Sequence, residues 1–354
     1  MEQQKESQKI PLAELERFVT DVLCALNMAR DEAEVVARAM ADADLRGVYT
    51  HGVAQLPGYV EQFRSKGFNP RPNIRILSET VSTALVEGDG GMGHLVGVRA
   101  MEVAIPKARE TGTAWVGVRG SRHWGAAAYY ATLALKHDMI GLALTVGVGN
   151  CMVPWGGLDV IVGNNPFAVA VPAGKEPPVV LDMATSVMAR GKVAIAAKNK
   201  EQIPLGWALD KDGKPTTDAV TAYEGSMLPI GGYKGYGLSV IIALLTGGLT
   251  GGAIGSELKG FFDLPCNNAH LVGAIRIDSF MPVDKFRTRV DWYVRELKQS
   301  RRAEGINRIY VPGEIEYETA QRQLREGITL RPVVEQEVIA LAHRLGIQPP
   351  GPLK

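Results

Sequence analysis

Apolar residues fall at Leu15, Phe18, Val19, Val22 and Leu26. Steps of three and four predict an amphipathic helix over residues 12–27. The same period returns over residues 31–45, after an Asp-x-Ala-Glu start that reads as an N-cap. From about residue 74 the texture changes. Residues 82–86 read as a strand, 96–110 as a helix, 113–118 as a strand, 126–136 as a helix and 140–146 as a strand. Such alternation predicts α/β layering. A loop-rich tract follows at 150–165, then short strands at 167–171 and 179–181. The run WALDKDGKPT, from Trp207, is a turn signal between extended pieces. Residues 295–299 lie in a charged helix, and 328–347 read as a closing surface helix.

At 354 residues, the chain suits about two domains. Hydrophobic content of 46% and charged content of 22% are ordinary for a soluble globular protein. A net charge of +1 gives no field to recruit a polyanion, which argues against nucleic-acid binding. Cys24, Cys151 and Cys266 are scattered, with no CxxC pair, and fit a reducing cytoplasm. The polar start MEQQKESQKIPLAELE lacks the apolar core of a secretory signal.

Three stretches draw attention before any chemistry is assigned. Gly88–Gly93 (GDGGMG) matches G-x-G-x-x-G between a strand and a helix. The next strand ends in Arg119, with no acid for a ribose hydroxyl, so a structural turn is the favoured reading. The uncharged run 237–255 holds six glycines and is only just long enough to span a bilayer. A buried helix packed closely on a neighbouring backbone is favoured over a membrane span. Lys234 precedes that run among glycines, which leaves room for a ligand phosphate or carboxylate.

The chemistry centres on two places, DLRGVYTHG (44–52) and SRHWG (121–125), where an arginine closely precedes a histidine that a glycine follows. Reduction of a 2-oxo acid needs a hydride donor, a proton donor and a cation for the carboxylate. Histidine titrates near pH ~6.5 and can supply and recover that proton. Arginine offers a planar fork matched to a carboxylate. His51 and His123 are therefore candidates, while His94, His137, His270 and His343 are expected to be packed or surface residues. Asp182 could orient an imidazole. No zincin or His/Cys metal spacing and no Gly-x-Ser-x-Gly elbow occurs.

DLRGVYTHG, SRHWGAAAYY, PWGG with GNNPFAVAVP, LDMATSVMARGKV, GYKGYGLSVIIALL and NRIYVPGE, in this order, resemble the type-2 malate/L-lactate dehydrogenase family, from about residue 12 to 345. Its relatives include ureidoglycolate and sulfolactate dehydrogenases, diketogulonate reductase and cyclic imino acid reductases. The resemblance implies a non-Rossmann α/β fold with a mixed sheet, and a cytoplasmic homodimer. It implies a helical, substrate-side module of residues 1–73 and about 300–354, and a cofactor domain of about 74–299. NAD(H) or NADP(H) contacts are implied at Asp182, Met183 and Ala184, at Lys234 and Gly235, and at Pro312, Gly313 and Glu314. His51 or His123 would move the proton, and Arg46 would face the carboxylate of a small substrate. Helix two would then present a clamp and an acid–base ring together. Thr50 stands where the family usually has serine. The loop TVGVGNCMV from Thr145 departs from the family pattern and leaves the substrate open. A cyclic imine beside a carboxylate would fit the same groups. A non-catalytic binding protein that retains the fold is a further alternative, and a membrane protein built on 237–255 is the weakest.

Overall fold

The computed structural model describes residues 9–260 and 267–351. The amino-terminal tract before residue 9 and Cys266 lie outside the described residues. A short ribbon, β1 (Lys9–Ile10) with β12 (Ile328–Thr329), ties the two terminal segments together. Helix α1 (Leu12–Ala25) buries Leu15, Phe18, Val19, Val22 and Leu23 completely. Each contributes about 1.5–3 kcal/mol on leaving water, so Phe18→Ala would cost about 3–5 kcal/mol. The helix stops short of residue 27 because Asn27 adopts a left-handed φ of 68°. Helix α2 (Arg30–Leu45) begins at Arg30 rather than at the expected Asp31 cap. Asp31 instead lies in the first turn, where its charge suits the helix dipole. Helix α3 (Leu56–Arg64) follows closely.

The main sheet has seven strands: β2 (Arg75–Glu79), β3 (Thr83–Glu87), β4 (Thr113–Ser121), β5 (Met139–Thr145), β6 (Phe167–Val171), β7 (Val179–Met183) and β11 (Asn268–Arg276). Their order is β2-β3-β4-β11-β5-β6-β7. Only β3 and β4 pair in parallel, across helix α4 (Gly93–Thr111); the other neighbours are antiparallel. The periodicity did not announce the central strand. β11 is covered on both faces from Asn268 to Ala274, so it reads as a continuous apolar run without alternation. Helix α5 (Ala127–Leu133) lies on β5 so closely that a Cβ at Gly141 would run into the Ala131 carbonyl.

One hydrophobic core runs from Ile10 and α1 through α4 and the sheet to Leu341 in the last helix. The boundary expected near residue 74 therefore shows no break in packing. Helix α1 packs on α2 and touches the last helix, and α2 carries the packing on to α4 and α5. The last helices are α9 (Val283–Gln299), α10 (Glu314–Glu326) and α11 (Pro332–Leu345). The closing helix begins later than expected, because Ile328–Thr329 serves the terminal ribbon.

A second, smaller core holds Cys151, Met152, Val193, Ala196, Ile203, Ala208, Ala219, Ala222 and Met227. Around it lie α6 (Arg190–Lys198), α7 (Ala219–Glu224) and a three-stranded sheet of β8 (Ala208–Leu209), β9 (Pro215–Thr216) and β10 (Ser226–Met227). The turn expected after Trp207 is the β8–β9 connection.

The uncharged run is half of what was expected. Helix α8 (Tyr233–Ala243) continues through a π-type turn at Leu244–Gly248. One face packs tightly: a Cβ at Gly247 would meet Ile254 and the Ala253 carbonyl. The other face leaves Leu238, Ile241, Leu245 and Leu249 exposed, a stripe at steps of three and four. Among the described residues, no helix is long and apolar enough to cross a membrane.

Candidate functional site

Strands β4 and β5 run in the same direction on either side of β11, so their C-terminal ends share one edge of the sheet. There the chain leaves β4 at Ser121 and β5 at Thr145, while Asn268 and His270 enter on β11. A cavity of about 1000 Å³ opens at this edge. Its walls include Thr50, His51 and Gln55 before α3, His123 to Gly125 after β4, residues 145–151 after β5, and Arg190 at the start of α6.

The two motif histidines meet here. The His51 and His123 rings are stacked, with centroids 5.9 Å apart. His51 Nδ1 lies 2.9 Å from the Thr50 hydroxyl, and His123 Nδ1 lies 2.6 Å from the Tyr59 hydroxyl. Burial lowers the pKa of His51. His123 is held well below the usual value, first by burial and then by the neighbouring imidazoles of His51, His94 and His270. Burial also pushes the Tyr59 phenol up, so it stays protonated.

Local structure sets these positions. At the end of α2 the Gly47 amide bonds the Asp44 carbonyl, and the Val48 amide reaches back to the Ala43 carbonyl. With Gly47 at φ 78°, this is a glycine-terminated helix end that reverses the chain. Just beyond it, the buried Asp44 carboxylate accepts from the Val53 amide at 2.8 Å and holds the turn that carries His51. A Cβ at Gly52 would collide with that carboxylate. On the other wall, the favoured reading of GDGGMG holds. The run is a turn, and a Cβ at Gly93 would sit 2.7 Å from the His123 carbonyl, so the start of α4 is filled by the β4 end.

His94 and His270, expected to be packed, are buried but adjoin the site. Burial is the main cause holding each at about 3. His270 lies between the hydroxyls of Thr145 (2.6 Å) and Ser121 (2.9 Å) and stacks on Trp124 at 4.2 Å. His94 sits edge-on to Tyr59 at 5.5 Å and to His123 at 6.3 Å. His137 and His343 are exposed.

Arg46 goes elsewhere. It lines a separate recess of about 330 Å³ with Asp42, Tyr129, Gly313 and Tyr317. Its guanidinium lies 4.0 Å from Asp42. The Gly47 reversal separates it from His51, so the expected pairing of clamp and ring at one helix end is not what the fold presents. Asp182 stays outside the cavity too. Its carboxylate accepts from the Ala128 amide at 2.8 Å and so braces α5, the helix that follows His123. Asp182 is exposed at the strand end, yet the atoms packed around its carboxyl push it up to about 6; the Ala128 amide and Arg46 oppose that rise.

Residues 182–185 lie behind the cavity wall, one hydrogen bond away from it. The Thr185 amide and hydroxyl both donate to the carbonyl of Asn164, a wall residue, at 2.8 and 2.9 Å. The Ile230 amide, just before α8, bonds the Thr185 carbonyl. The Val180 amide bonds the Pro312 carbonyl at 3.0 Å. So β7 and its extension join the cavity wall to the two other segments expected at a cofactor. Gly313, at φ 82°, passes so close that a Cβ would sit 2.6 Å from the Val180 carbonyl. Lys234 is exposed on the first turn of α8. Glu314 is engaged structurally. It is buried against Lys298 (2.7 Å) and Arg308 (2.6 Å), and these partners outweigh burial and keep its carboxyl low.

Periodicity missed Tyr59, Asn150, Asn164 and Arg190 as wall or wall-supporting residues. Tyr59 lies on the helix that follows the His51 turn, and nothing in its spacing marked it. Arg190 sits inside the quoted motif LDMATSVMARGKV, but α6 was not recognised as an element and nothing marked its side chain.

The malate/L-lactate dehydrogenase family model matches residues 10–338. The chain is 39% identical to malate dehydrogenase of Pyrococcus abyssi over 348 residues, covering 96% of each. It is 38% identical to L-sulfolactate dehydrogenase of Methanocaldococcus jannaschii, covering 94% of this chain and 95% of the relative. It is 32% identical to ureidoglycolate dehydrogenase (NAD(+)) of Escherichia coli O157:H7, with the same coverage. The structure of malate dehydrogenase from Pyrococcus horikoshii superposes with a TM-score of 0.89 at 36% identity, over 98% of this chain and 97% of that one. Delta1-piperideine-2-carboxylate reductase from Pseudomonas syringae superposes with a TM-score of 0.84 at 27% identity, over 95% and 100%. With a family match over most of its length and the same fold in solved relatives, the chain belongs to the malate/L-lactate dehydrogenase family and is a dehydrogenase of that family.

Proposed function

We propose that the chain moves a hydride between a nicotinamide cofactor, NAD(H) or NADP(H), and C2 of a small 2-hydroxy or 2-oxo acid in the cavity of His51 and His123. The observation that carries this reading is the pair of imidazoles in one cavity whose wall is hydrogen-bonded to the segment 182–185. The names of its relatives, malate, sulfolactate and ureidoglycolate dehydrogenases, point to the same substrate class.

The residues expected at the cofactor fit one. Lys234 offers a cation beside open glycine backbone, since Cβ atoms at Gly231 and Gly237 would meet nothing within 4 Å. Gly235, Met183, Ala184, Pro312 and Gly313 supply close backbone, and Asp182 braces the helix after His123. Glu314 serves by fixing the turn, since its carboxylate is held by Lys298 and Arg308. When bound, the nicotinamide ring supplies the hydride acceptor or donor.

The histidines do the proton work. Both are neutral at pH 7, because burial disfavours their charged forms. A neutral ring accepts the C2 hydroxyl proton as hydride departs, and in reverse the imidazolium returns it to the new alkoxide. A hydroxyl on Nδ1 can donate to a neutral ring or accept from a charged one. Thr50 and Tyr59 thus hold the rings through the whole cycle.

We also read the chain as a homodimer, with the apolar stripe of α8 as the surface a second copy would cover. A solution mass equal to one chain refutes that part. For the reaction, NADH and NADPH oxidation is followed against a panel of 2-oxo acids, with piperideine-2-carboxylate as a separate arm. Turnover of an oxo acid supports the reading, turnover of the imine alone favours imine reduction, and a folded protein inert toward all of them refutes both. Ala in place of the proton-transferring histidine, His51 or His123, lowers kcat by about 10²–10⁴. If neither variant slows, proton transfer by these rings is wrong.

A further inference from the structure

The reaction needs a cation for the substrate carboxylate, and Arg46 faces a different recess. Among the described residues lining the cavity, Arg190 alone carries a permanent charge; no lysine, aspartate or glutamate lines it. Among these described residues, an entering carboxylate therefore meets one positive partner and no acid that repels it.

The guanidinium is held but not spent. Its polar contacts are the backbone carbonyls of Asn150 at 3.5 Å and Tyr223 at 3.4 Å, both at the long limit of a hydrogen bond. It lies over the Tyr223 ring at 5.0 Å, which orients the planar fork without neutralising it. No acid pairs with it among the described residues, so an incoming carboxylate displaces nothing strong.

The surroundings leave room for a ligand. A Cβ at Gly191 would meet nothing within 4 Å. The Asn150 Nδ2 donates to the Gly255 carbonyl at 2.7 Å, while its Oδ1 is buried without a partner in the cavity wall. That oxygen can take a donor such as a substrate hydroxyl.

We propose that Arg190 binds the carboxylate of the substrate, in the role expected of Arg46. The proposal rests on the hydride-transfer reading above. A guanidinium matches a carboxylate in two parallel hydrogen bonds, which fixes the acid end and leaves C2 to be directed by the wall residues.

The test uses Arg190→Gln, Arg190→Lys and Arg46→Gln in the full chain, each checked for native circular dichroism. KM and kcat are measured with the best 2-oxo acid, and binding of oxamate to the cofactor-loaded enzyme is measured by calorimetry. Arg190→Gln is expected to raise KM and the oxamate Kd about 10- to 100-fold, from the loss of a charge-assisted pair. Its kcat changes far less, its cofactor Kd is unchanged, and Arg190→Lys recovers part of the loss. Wild-type KM and oxamate Kd in Arg190→Gln overturn the proposal. So does a rise in Arg46→Gln without one in Arg190→Gln, or a wild-type enzyme that binds no oxamate. A wild-type enzyme that turns over no oxo acid refutes the hydride-transfer reading instead, and the oxamate titration still decides the role of Arg190.

Discussion

Asp44 offers the sharpest physical test of the turn that carries His51. Its side chain is 1% exposed, and its Oδ2 accepts from the Val53 amide. Burial pushes its carboxyl from the ordinary 3.8 up to about 7, with the Val53 amide pulling the other way. A folded-state pKa above the unfolded one means that the folded chain binds the proton more tightly. The ionised carboxylate thus penalises folding fully above pH 7, and the penalty fades as pH falls toward 3.8. At about 1.36 kcal/mol per pH unit, the full penalty is about 4 kcal/mol. Asp44→Asn keeps an oxygen for Val53 and cannot ionise, so it escapes this cost. Its stability relative to wild type should widen by about 2–3 kcal/mol between pH 5 and pH 8. The buried histidines titrate alike in both proteins and cancel in the difference. Urea unfolding of the two proteins across that range, with equal m-values, measures it. A gap that is constant with pH, or that narrows toward pH 8, refutes the assignment of a costly buried charge to Asp44. Asp44→Ala should instead lose about 1–3 kcal/mol, because it orphans the Val53 amide.

Two further outcomes follow from the same geometry. Because burial lowers the pKa values of His51 and His123, the base form persists below the ordinary 6.5. In hydroxy-acid oxidation, kcat/KM should therefore stay level near pH 7 and fall only below pH 6.5; an acid limb centred at or above 6.5 contradicts the buried, neutral rings. Gly93→Ala places a methyl against the Arg122 and His123 backbone, so thermal stability should drop and oxo-acid turnover should fall with it. Wild-type melting and rates would show that α4 and the β4 end do not pack as described.

Most local elements on the outside of the fold were legible in the chain, because each has one wet face and one dry face. The spacing from Leu15 to Val22 gave α1, and alternation along 140–146 gave β5 to within a residue. The six ordered motifs identified the family. They also picked out His51 and His123, since both stand beside glycines at element ends. What the sequence withheld was whatever depends on being covered or turned. β11 shows no period because both its faces are dry, so the middle of the sheet stayed unread. Six residues span Arg46 to His51, yet a left-handed glycine between them sends the two side chains into different recesses. Arg190 and Tyr59 join the histidines only because β4 and β5 end at the edge where β11 begins and α3 and α6 lie beside it. Periodicity records how a segment meets water. Which segments meet one another is set by sheet order and helix docking, and only the folded chain decides that.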